Sequence, residues 1–214
     1  MSTNRDRRRA RRAGARVREA YAARAAEYIS RFGSIEAVAE QDRDLVLGWA
    51  RGVDGRIIDI GCGPGQWTNY LHERGVDIEG VDPVPAFINE ARQRYPGVDY
   101  RVGQADRLGV NEASLGGVLA WYSLIHTDPD QIGALLTEFA RCVQAGGGLA
   151  VGFFEGPDLV PFDHAVSTAW FWPVDLLAKQ IERAGFAVAG VHTRTDLGTR
   201  PLGVITACRA GGAR

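Results

Sequence analysis

The feature that most constrains this chain is a short β-branched run that breaks into glycines. Arg56-Ile57-Ile58-Asp59-Ile60 reads as a strand, and Gly61-Cys62-Gly63-Pro64-Gly65 follows at once. Three glycines at alternate positions let the backbone take positive φ and let a ligand lie on it without meeting a Cβ. A helix from about Gln66 to Glu73, stopped by Gly75, makes the unit strand–glycine loop–helix.

The same alternation continues. Residues 77–81, 98–102, 117–122 and 149–154 read as strands, separated by helices over 85–94 and about 132–143. A helix over 173–184 is followed by two strands, 186–192 and 202–208, with no helix between them. A parallel return needs a long crossover, so the last strand is expected to run antiparallel. The reading is a Rossmann-like, doubly wound α/β fold with seven strands, mostly parallel. Upstream, Val17, Tyr21, Ala25, Tyr28 and Phe32 mark one helical face, and residues 35–50 a second helical stretch. Residues 155–172 form a long aromatic-rich connection, read as a lid.

Residues 1–18 hold eight arginines against Asp6, a charge of +7 that leaves −8 on the remainder. A block of like charge is usually a solvated tail, so residues 1–16 are expected to be disordered and 17–214 to form one domain. No aromatic residue interleaves Arg5 to Arg18 as a stacking platform would require, so no nucleic-acid partner is expected. No apolar run of membrane-spanning length exists, and no apolar h-region follows the N-terminal charges. Cys62, Cys142 and Cys208 form no CxxC pair, so neither a metal site nor a disulfide framework is expected. That usage suits a reducing, cytoplasmic compartment.

In an open α/β sheet, ligands bind beyond the carboxyl ends of the strands. The glycine spacing is G-x-G-x-G with an acid two residues ahead. A dinucleotide fingerprint, G-x-G-x-x-G, would require glycine at Gln66. This loop suits a ligand with an amino-acid moiety, whose ammonium can meet an acid or a carbonyl. Asp82, ending the second strand before Pro83, can accept from both ribose hydroxyls. Gln104-Ala105, after the third strand, can meet an adenine edge.

With these residues in view, the chain resembles a class I S-adenosylmethionine-dependent methyltransferase of the small-molecule bacterial subgroup. Asp59-Ile60-Gly61-Cys62-Gly63-Pro64-Gly65 matches that family's first motif and Asp82 its acidic second. Gly103-Gln104-Ala105 resembles its adenine loop, with an amide where the family usually has a carboxylate. Leu119 to His126 and Gly152 to Gly156 are similar to the subgroup. The resemblance implies S-adenosylmethionine as cofactor and S-adenosylhomocysteine as product. It implies a small-molecule acceptor methylated by in-line displacement. It also implies that Tyr21 reaches the cofactor carboxylate, that Ala120 offers its carbonyl to the cofactor ammonium, and that Trp121 and Tyr122 flank the methyl.

Each assignment has a plainer alternative. Asp59 can cap backbone N–H groups, Tyr21 can be core, and His126 can be structural rather than a general base. His164, in the lid, can face solvent rather than the site. Two other functions stay open: a nicotinamide-dependent oxidoreductase, and a non-catalytic cofactor-binding relative.

Overall fold

The computed structural model describes residues 4–211, and of residues 4–13 the backbone alone. Three helices lead: α1 Asn4–Ala23, α2 Ala25–Phe32 and, after a 3₁₀ turn at Ile35–Ala37, α3 Glu40–Arg51. The alternating part follows: β1 Ile57–Ile60, α4 Gln66–His72, β2 Ile78–Asp82, α5 Pro85–Arg94, β3 Asp99–Val102, β4 Leu115–Trp121, α6 Pro129–Cys142 and β5 Val143–Glu155. Then come β6 Val160–Asp163, β7 Thr168–Trp172, α7 Val174–Arg183, β8 Phe186–Arg194 and β9 Leu202–Arg209.

Strands β3-β2-β1-β4-β5 lie side by side and parallel. β9 joins the far side of β5 antiparallel, and β8 pairs antiparallel with β9. The chain order reverses between β1 and β4, so the crevice beyond their carboxyl ends is the topological switch point.

Helices cover both faces of the central strands, which is why every residue of β1 is buried. Ile58 and Ile60 join Val118, Leu149 and Phe139 in a large cluster reaching to α6 and α7. Ile57 and Leu119 meet Val46, Trp67 and Leu71 of α3 and α4 on the opposite face. Asp128 starts α6 by accepting from Asp130 N, and Pro129 supplies the fixed φ of the first turn.

Two expectations change. Among the described residues the sheet has nine strands, not seven, because the segment read as a lid loop contains the β6–β7 hairpin. β5 outruns β4, whose pairing ends at Trp121↔Gly152. The edge left free is taken by β7 at Phe154↔Phe171 and Glu155↔Trp172. Thr168-Ala-Trp-Phe-Trp172 has the β-branched and aromatic content that suits such an edge. The hairpin therefore stands over the ligand end of the sheet. The second change is at the N-terminus, where the backbone of residues 4–16 belongs to α1 rather than to a disordered tail. Arg and Ala are strong helix formers, which favours the helical backbone of this stretch. Residues 1–3 lie outside the described residues.

Among the described side chains of α1, Tyr21 packs against a buried cluster, with Ala25, Val84 and Phe87. Deleting residues 1–13 should therefore leave the thermal midpoint within about 2 °C of the full chain, less than the shift expected for 1 kcal/mol. Differential scanning calorimetry decides it, and a drop of 5 °C or more would make the arginine-rich turns part of the fold.

Candidate active site

At the end of β1 the chain turns sharply, and Gly61 N and Cys62 N both donate to Val81 O of the neighbouring strand. Gly61 sits at φ +72°, and a Cβ on it would collide with Ser123 of the loop after β4. Gly63, at φ +56°, has only the edge of the Tyr28 ring above it, 3.7 Å from where a Cβ would lie. The loop is thus pressed against one neighbour and roofed by α2.

Asp82 fixes this loop. Its carboxylate accepts from Gly63 N at 3.0 Å and from Val84 N at 2.8 Å. Each oxygen keeps a further lone-pair direction for a ligand hydroxyl. Asp59 lies behind the loop, 2% exposed, and accepts from the Thr68 hydroxyl at 2.7 Å. Burial pushes its carboxyl up to about 7, against the Thr68 bond, with the Asp82 charge adding to the rise. Burial likewise pushes Asp82 up to about 6, opposed by its two backbone donors. Neither forms an ion pair among the described residues. Buried carboxyl groups with no protein cation beside them favour a cation at the glycine loop. At the start of α4, Gln66 Oε1 is buried without a partner, a further acceptor at the loop.

Across the crevice, His126 bridges α1 and the β6–β7 hairpin. Its Nδ1 lies 2.8 Å from Thr168 O of β7, and its Nε2 lies 3.0 Å from Tyr21 Oη. A carbonyl only accepts, so Nδ1 carries the proton and Nε2 of the neutral ring accepts from Tyr21. Burial lowers the His126 pKa, partly offset by the bond to Thr168. His164 stands 5.1 Å away, centroid to centroid, with Nδ1 buried and unpartnered. Burial, His126, Arg200 and Arg24 together lower its pKa to about 4. Phe154 and Phe162 lie beside it at 6.1 and 6.3 Å, and Phe171 packs on Phe162.

Tyr122 follows β4 at φ +52°, a strained position for a residue with a side chain. Its ring lies 5.5 Å from Phe154, and its hydroxyl is buried without a partner. It also borders a cleft of about 640 Å³ between α3 and β8–β9, where Arg194 holds Asp42 through two bonds of 2.9 and 3.1 Å.

The other residues named from the sequence divide by position. Pro83 is half-buried beside Asp82, and Gln104 is exposed at the end of β3 with Ala105 half-buried behind it. Ala120 is fully buried, and its methyl belongs to the α6-side core, so only its backbone can serve a ligand. The Cys62 side chain points away into the cluster with Ile88 and Tyr100. Trp121 leans on Trp67 at 5.0 Å. Sequence reasoning missed Thr68, the Thr168 carbonyl and exposed Val102 at the crevice rim, 52% accessible. Tyr28, seven residues beyond Tyr21 on one helical face, had a signal; the Thr68 and Thr168 contacts are purely tertiary. Among the described residues no three His, Cys, Asp or Glu side chains gather as a metal site. No described helix is long and apolar enough to cross a membrane.

A family model described as a methyltransferase domain matches residues 57–147. The chain is 31% identical over 96 residues to an uncharacterized methyltransferase of Mycobacterium tuberculosis, covering 45% of this chain and 38% of that protein. It is 37% identical over 98 residues to a trans-aconitate 2-methyltransferase of Methylobacterium nodulans, covering 45% and 37%. The chain thus spans about two fifths of the length of these curated relatives. Its fold matches a Burkholderia thailandensis 1,6-didemethyltoxoflavin-N1-methyltransferase, solved with that substrate and S-adenosylhomocysteine. The TM-score is 0.78, over 94% of this chain and 91% of that one, at 21% identity. Residues 57–147, which hold the glycine loop, the acidic β2 terminus and the strands around them, match a methyltransferase domain, and the fold is that of a solved methyltransferase.

Proposed function

We propose that the chain transfers a methyl group from S-adenosylmethionine to a small-molecule acceptor. The observation that carries this reading is the pair of buried, unpaired carboxylates under the glycine loop. Desolvated anions without a protein cation are costly, and a positively charged ligand offsets that cost. S-adenosylmethionine carries a sulfonium and an ammonium; a dinucleotide carries a pyrophosphate, whose G-x-G-x-x-G loop would need glycine where this chain has Gln66. That contrast disfavours the oxidoreductase.

The residues present fit the cofactor. Asp82 would hold the ribose hydroxyls, Gly61 and Gly63 would let the amino-acid end lie on the backbone, and Tyr28 would cover it. Asp59, tied to Thr68, acts from behind by setting the loop's charge. Pro83, Val102, Gln104 and Ala105 would border the base. When bound, the sulfonium supplies an electrophilic methyl with a neutral thioether as leaving group. The protein's task is then to orient the acceptor, exclude water and take a proton. His126 is suited to the last. Its neutral ring has Nδ1–H fixed on Thr168 O, leaving Nε2 to accept a proton from an acceptor O–H or N–H. Tyr122 and His164, each with an unpartnered buried polar atom, would line the acceptor. With Cys62, Cys142 and Cys208 all free, a cytoplasmic setting suits the chain.

Isotope-labelled S-adenosylmethionine supplied with a metabolite extract tests the reading, the expected result being label in a small acceptor. His126→Asn should cut that transfer by about 10²–10⁴-fold, with affinity for S-adenosylhomocysteine kept. No labelled product from any extract, with cofactor bound normally, would favour the non-catalytic alternative.

The carboxylates also make a stability prediction. Asp59 has a folded pKa of about 7 against an ordinary 3.8. Its contribution is therefore favourable below the ordinary value and is lost as pH rises through 7. Asp59→Asn carries no such loss. Its stability relative to wild type should rise by ~2–3 kcal/mol between pH 5 and pH 8. Urea unfolding at the two pH values reads this, and parallel curves would show that Asp59 is not a buried, strained acid.

A further inference from the structure

Among the described residues Tyr21 is the one side chain that hydrogen-bonds Nε2 of the candidate base, and it is a phenol. Its ring is framed edge-on by Tyr28 at 5.5 Å, Phe87 at 6.1 Å and His126 at 5.6 Å. A second tie runs parallel to this contact. Arg24, at the break between α1 and α2, reaches the Ala165 carbonyl at the hairpin turn and pairs with Glu27. The N-terminal helices and the β6–β7 hairpin are thus clasped together across the base. While the clasp holds, no acceptor can reach Nε2.

We propose that Tyr21 is a positioning residue that occupies the acceptor's seat. Its hydroxyl caps Nε2 of His126 in the empty site, and an aryl or heteroaryl O–H or N–H takes its place when α1 opens. The inference rests on the methyltransferase reading above. On transfer, the acceptor heteroatom gains the methyl carbon, its proton goes to Nε2, and the carbon–sulfur electron pair leaves on the thioether. His126 ends as an imidazolium still donating Nδ1–H to Thr168 O. The acceptor class follows from what fills the seat now: a flat ring bearing a polar hydrogen, held edge-on among three rings at ordinary aromatic contact distances.

The groups facing His126 are Tyr21 from α1, and His164 and Thr168 O from the hairpin. Arg24 and Arg200 act on His164 behind it. Removing the Tyr21 hydroxyl takes away a bond that favours the neutral ring, while the other groups stay. Tyr21→Phe should therefore raise the His126 pKa by about 0.4–1 unit. Side-chain ¹⁵N NMR of the full-length, ligand-free protein reads this, the resonance being assigned with His126→Asn. Tyr21→Ala opens the seat, and phenol should then bind saturably and restore the wild-type His126 resonances, with cyclohexanol at least about tenfold weaker. An unchanged His126 pKa in Tyr21→Phe, which keeps the ring and its packing, would overturn the proposal. So would a Tyr21→Ala site that takes cyclohexanol as readily as phenol. Both readouts are free of cofactor and turnover, so they can fail while labelled methyl transfer stands, and the reverse.

Discussion

The structure turns on the bonds by which Asp82 holds the glycine loop. One carboxylate at the end of β2 accepts the Gly63 and Val84 N–H groups and so ties two strand ends together. The arrangement places a charge where water barely reaches, at 5% exposure. A neighbouring acid, Asp59, adds a second. Folding alone gains little from burying two carboxylates, and their raised pKa values are the sign of that cost. The cost has a purpose if a cationic ligand completes the site.

The rest of the molecule supports that crevice. Strand order brings β1 and β4 together at the switch point, so the glycine loop meets the loop bearing Ser123. The overrun of β5 recruits the β6–β7 hairpin, which presents Thr168 O to His126. The N-terminal helices present Tyr21 and Tyr28 from the other side. His126 is held between these two elements.

Much of this was legible in the chain. Hydrophobic periodicity located each central strand and helix, because parallel strands buried on both faces read as continuous apolar runs. The glycine spacing and Asp82 located the ligand end. The hairpin was not legible: Asp163-His164 and the residues around it carry no Asn-Gly turn signal, and β7 owes its place to the free edge of β5. Cys62, read as part of the cofactor loop, turns its thiol into the core. Tyr21, read by resemblance as a cofactor contact, bonds His126, a partner 105 residues away that no local pattern could name.

The central claim is that Asp82 and its loop bind S-adenosylmethionine. Calorimetric titration of S-adenosylhomocysteine into wild type and Asp82→Ala, with NADH as control, tests it most directly. The account predicts binding to wild type, an affinity about 10- to 150-fold weaker in a folded Asp82→Ala, and no binding of NADH. Tight NADH binding with none of S-adenosylhomocysteine, or equal affinity in both proteins, would contradict it.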